Sequence, residues 1–92
     1  MDLKELRVQI DDVDRQMVAL FVRRMEISEQ IGLYKKAHDL PTGDRGRERD
    51  KLEAVAALAP EALREPVQSL YEKLFELSRG WQNRVNDRSG EA

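Results

Sequence analysis

Apolar residues fall at Leu3, Leu6, Ile10, Val13, Met17 and Leu20, then at Ile27, Ile31 and Tyr34. The steps alternate between three and four, the spacing of one buried seam on an α-helix. The position that the series skips is Arg24. Asp2 followed by Glu5 reads as a capping box with Asp in place of Ser or Thr. No proline occurs before Pro41, and Gly32 is the lone glycine of that stretch. The pattern predicts one helix over residues 3–38, then a loop at Asp39–Gly43. Asp44 can cap a second helix, with Leu52, Val55, Ala56 and Leu58 on its inner side, and Ala59-Pro60 breaks it. A third helix carries Val67, Leu70, Leu74, Leu77 and Trp81. It starts near Pro66, because proline suits a first turn, and fades near Asn86. Nothing alternates like a strand. The expected fold is all-α: one long and two shorter helices in a single domain over residues 1–86, with a flexible tail over 87–92.

The first helix is too long for a lone globule. It would span roughly 50 Å, whereas a domain of this size has a radius of gyration of about 12–13 Å. Two shorter helices cannot cover its seam, so much of it would face water. An intertwined homodimer with the long helices packed together is the expected remedy. A parallel coiled coil with the other helices as an appendage is the alternative.

Composition narrows the function classes. The 92 residues hold 16 basic and 18 acidic side chains, a net charge of -2, without the basic excess of a nucleic-acid binder. There is no cysteine, hence no disulfide, thiolate ligand or thiol nucleophile. His38 is alone, which argues against a zinc cluster. The N-terminus is charged from Asp2 and shows no signal peptide, and no apolar run reaches the ~18 residues of a membrane span. A cytoplasmic protein without metal is expected.

Charged residues on inner faces carry the chemistry. A guanidinium on an apolar seam costs on the order of several kcal/mol unless an anion meets it. Lys35 lies nearly three whole turns after Arg24, so the two cations point the same way, roughly 16 Å apart. Ser28 and Ile31 lie between them on that side. Either Arg24 pairs with an internal carboxylate while Lys35 snorkels to water, or an anionic ligand meets both. Arg7 sits about 25 Å before Arg24, too far for both to grip one small molecule. Alone it reads as a surface residue; in an antiparallel dimer a partner's Arg7 could reach this chain's Arg24. The run from Asp44 to Asp50 resembles a solvated helix start, yet Glu48 is one turn before Leu52 and leans inward. Arg47 and Glu48 cannot both lie fully outside a tightly packed helix. Ser78 and Gln82 share a face with Leu74 and are either solvent-edge residues or pocket lining.

Together these positions resemble the all-helical chorismate mutases, the AroQ class. The matching residues are Leu6-Arg7, Arg23-Arg24-Met25-Glu26, Lys35, Asp44-Arg45-Gly46-Arg47-Glu48-Arg49, and Ser78 with Gln82. The likeness runs from about residue 3 to 84, with no departure at the eight polar positions and the poorest alignment over 59–66. It implies an intertwined all-α homodimer with two equivalent sites and the isomerisation of chorismate to prephenate, on the way to phenylalanine and tyrosine. Carried over residue by residue, it implies that Arg24 and the partner subunit's Arg7 hold the two substrate carboxylates. Lys35 reaches a carboxylate and the ether oxygen, and Gln82 donates to that oxygen from the opposite side. Glu48 accepts from the ring hydroxyl, assisted by backbone near Asp44, and Arg47 and Ser78 complete the carboxylate shell.

The implied chemistry fits the composition. A pericyclic rearrangement within one molecule needs no nucleophile, metal or redox cofactor. The protein must hold the reactive chair and stabilise charge growing on the ether oxygen with fixed donors. Two rivals remain: an isochorismate-pyruvate lyase on the same scaffold, differing at the Asp39–Gly43 loop, and a non-catalytic helical dimer in which Arg24 pairs with Glu48 or another carboxylate. No fused regulatory or dehydratase domain is expected.

Overall fold

The computed structural model describes residues 1–90. Helix α1 spans Leu3–Ala37, α2 spans Arg45–Ala57, a 3-10 turn occupies Glu61–Leu63, and α3 spans Arg64–Gly90. No strand occurs among the described residues.

Helices α1 and α2 each start where a side chain caps them. The Asp2 carboxylate accepts from Glu5 N at 2.9 Å, and the Glu5 carboxylate accepts from Asp2 N at 3.4 Å, closing a capping box. Asp44 accepts from Arg47 N at 3.0 Å and opens α2. Helix α1 ends at Ala37, one residue before the expected end, with His38 as its cap. Asp39 follows with φ 54. Aspartate is one of the few side chains that tolerates this left-handed region, and the reversal folds the loop back so that Leu40 N donates to Lys35 O at 2.8 Å. Pro66 lies in the first turn of α3, where its missing N–H has no helical partner to lose.

Helix α3 packs against both α1 and α2. The apolar core is small: Val55 and Ala56 from α2, Phe75 and Val85 from α3. Several expected positions differ. Leu58 caps the end of α2 and is exposed, because the helix stops before turning that side chain inward. Leu70 and Leu77 are also exposed. Phe75, Ser78, Gln82 and Val85, spaced by three and four, form the buried line of α3, one position round from the stripe expected. The helix also continues past Asn86 through Gly90, so residues 87–90 are helical; residues 91 and 92 of the expected tail lie outside the described residues.

At Gly32 a Cβ would sit 3.1 Å from Gln82 Cβ and Cγ. The missing side chain is what lets α1 and α3 approach there. The arrangement is a slab of 55 × 29 × 14 Å with a radius of gyration of 16.6 Å, well above the about 12–13 Å of a compact chain this long. Fourteen ångströms is little more than one helix diameter. The α1 seam is consequently uncovered: exposure runs from 44% at Ile31 to 64% at Leu20.

Candidate active site

Arg24 sits midway along α1, where it faces α3. Its Nη1 donates to Ser78 Oγ at 2.7 Å. Its Cζ lies 5.8 Å from the ring centroids of both Tyr71 and Phe75, close enough for cation–π attraction. The Ser78 hydroxyl contacts Met25 Sδ at 3.8 Å. Among the described residues no carboxylate pairs with Arg24: the three ion pairs are Arg15–Asp12, Lys73–Glu76 and Arg79–Glu48. The first alternative read for Arg24, pairing with an internal acid, is therefore not what the fold contains, and neither is a contact with Glu48.

Lys35 points from the same helix face and donates from Nζ to Thr42 O at 3.0 Å. The loop carbonyl thus fixes its ammonium beside the cavity rather than leaving it to snorkel outward. Gln82 is held between helices. Its Nε2 donates to Ser28 Oγ at 3.0 Å, and its stem lies on Gly32. Ser28 and Gln82 are only 5% and 8% exposed, so this hydrogen bond is shielded from water.

Helix α2 brings its first turn to the same place. Asp44 caps it, which sets Arg47 and Glu48 on the side facing α1 and α3. Arg79 Nη1 donates to both Glu48 oxygens.

These groups line one cavity of about 280 Å³. It holds Arg24 and Lys35 from α1, Asp44, Arg47 and Glu48 from the start of α2, and Ser78 and Gln82 from α3. Arg7 is not among them: it is exposed, about 25 Å away along α1. Ile27, Ile31 and Phe75 supply apolar walls. Arg79, Lys51 and the Thr42 carbonyl also line the cavity and were not singled out on the sequence. Arg79 carries a weak signal there, lying three residues before Gln82 on one helix face. On the sequence Ser28 shows only as a residue between Arg24 and Lys35, since its partner is 54 residues away.

Five cations and two carboxylates face the cavity. One carboxylate, Glu48, is paired with Arg79, and Asp44 is engaged by a backbone N–H. The remaining positive charge suits a small dianion with polar substituents. Among the described residues no group of His, Cys, Asp and Glu has the arrangement of a metal site, and no helix is long and apolar enough to cross a membrane.

Comparison with known proteins points the same way. The family profile for chorismate mutase type II matches residues 6–83. The T-protein of Haemophilus influenzae is 42% identical over 52 residues, covering 56% of this chain and 14% of that protein. The chain therefore spans only a small part of that relative's length. No solved structure matches significantly.

Proposed function

Because this chain belongs to the chorismate mutase type II family, we propose that it isomerises chorismate to prephenate. The observation that carries this reading is a cavity lined by Arg24, Lys35 and Arg47, none of which forms an ion pair with a carboxylate among the described residues. A doubly negative substrate supplies the missing charge.

Chorismate is held as a chair. Arg24 grips one carboxylate through its planar fork, with Ser78 and the adjacent rings fixing the guanidinium. Arg7 of the partner subunit reaches the other carboxylate, which makes the working unit an antiparallel homodimer with two equivalent sites. Arg47 adds to the carboxylate shell. As the ether C–O bond lengthens and the new C–C bond forms, negative charge grows on the ether oxygen. Lys35 donates to that oxygen from one side and Gln82 from the other. Gln82 Nε2 has two N–H groups, and Ser28 accepts only one, so the second is available to substrate. Each such fixed donor is worth ~3–4 kcal/mol in the transition state, on the order of 10²–10³ in rate. Glu48 accepts from the ring hydroxyl, with backbone near Asp44 assisting. No group on the enzyme is consumed, and no proton need leave the substrate. The product lies on the route to phenylalanine and tyrosine, and the cytoplasm is the proposed location.

The test is to follow the loss of chorismate absorbance with purified protein and to identify the product. Prephenate formation supports the proposal. Release of pyruvate, or turnover of isochorismate alone, moves the chain to the lyase reaction. Absence of both binding and turnover leaves a non-catalytic helical dimer.

A further inference from the structure

Arg79 is the one cation of the cavity that is already paired, and its partner is Glu48. Resting on the proposed reading of the cavity, we infer that Arg79 is a positioning residue that aims the Glu48 carboxylate at the ring hydroxyl of a bound cyclic dianion, and so sets selectivity for hydroxylated ligands.

Glu48 has other cations within reach on its own helix. Arg45 lies three residues before it and Lys51 three residues after, the spacing at which helix side chains meet. Either would draw the carboxylate along the α2 surface. Arg79 comes instead from α3, one residue after Ser78 and three before Gln82. Its Nη1 donates to both carboxylate oxygens, so Glu48 is pulled across the gap between α2 and α3, onto the wall that carries Ser78 and Gln82. The Glu48 side chain is 19% exposed and that of Arg79 33%, Arg79 being the more open. A carboxylate has about four lone-pair sites. Arg79 engages one on each oxygen, which leaves acceptor capacity turned to the cavity. The pairing also offsets the repulsion between a lone Glu48 and an anionic ligand.

The test uses calorimetric binding of two bicyclic ether dicarboxylates to the full chain, one with a ring hydroxyl and one without. The readout is the ratio of their dissociation constants, in which any general loss of positive charge cancels. In the unaltered protein the hydroxyl tightens binding. In Arg79→Leu that advantage falls about tenfold, the scale of one charge-assisted hydrogen bond. Arg79→Lys, which keeps the charge but loses the fork, retains part of it. In a Glu48→Gln background Arg79→Leu produces no further change, because the two residues act as one unit. An unchanged ratio in Arg79→Leu, or additive effects in the double variant, overturns the inference and leaves the proposed function standing. Should neither probe bind the unaltered protein, the function and the inference both fall. If Arg79→Leu loses its helical circular dichroism, Arg79→Lys and Arg79→Gln carry the same comparison.

Discussion

Arg24 places a full charge against a serine hydroxyl and two aromatic rings, 2.7 Å from the first and 5.8 Å from each ring centroid. None of these neutralises it. Arg24→Leu completes the apolar seam and removes the desolvation cost of the cation. We expect helical content and melting temperature to be kept or raised, with kcat/KM lower by at least about 10²–10³. An unfolded variant assigns Arg24 a structural role through Ser78. Gln82 gives a second test. An amide donates at any pH, so turnover should stay flat between about pH 5 and 7. In Gln82→Glu the side chain donates only when protonated, near a usual carboxyl pKa of about 4.3. A pH–rate profile of that variant should rise toward acid, and a flat one would remove Gln82 from contact with the ether oxygen.

At the scale of elements, two features couple folding to the cavity. Asp44 opens α2 and also lines the site. Asp44→Ala should cost ~1 kcal/mol of stability through the lost cap, whereas Asp44→Ser should restore it. Comparing kcat for the two variants separates capping from any direct role of the carboxylate. Gly32 is the second feature. Gly32→Ala gains about 1 kcal/mol of helix propensity but places a Cβ 3.1 Å from Gln82 Cβ and Cγ. These effects oppose each other, so denaturation midpoints should move little. The displaced Gln82 should nevertheless lower kcat roughly tenfold, since sub-ångström misplacement is felt in the rate.

The whole molecule is one helix layer thick, 14 Å across its short axis. Stable domains bury their apolar faces between two layers. Here the α1 seam has no second layer, and Leu70 and Leu77 of α3 are open as well. These side chains are already about half covered, so covering the rest contributes about 1 kcal/mol each, which summed over the seam is a strong drive toward a partner copy. Light scattering should report about twice the 10.7 kDa chain mass. Ile10→Asp, on the exposed seam and far from the cavity, should shift the protein toward monomer and lower its stability. It should also abolish turnover by removing the partner subunit's Arg7. Full activity in a monomeric variant would sink the shared-site proposal.

Local patterning determined much of this. The Asp2 and Asp44 caps, the helical periods and the proline break depend on neighbours within a few residues, so they could be read along the chain. Arg24 stood out too, because it interrupts the apolar stripe of α1, whereas Glu48 could be read only as leaning inward and Gln82 as either a solvent-edge or a pocket-lining residue. Partner choice was decided only in three dimensions. Ser28 meets Gln82 and Arg79 meets Glu48 across 54 and 31 residues, through helix contacts that no local pattern records. The buried line of α3 was misplaced by one position for the same reason: a helix with apolar residues on adjacent stripes does not reveal which one meets α1 and α2 until those helices pack against it.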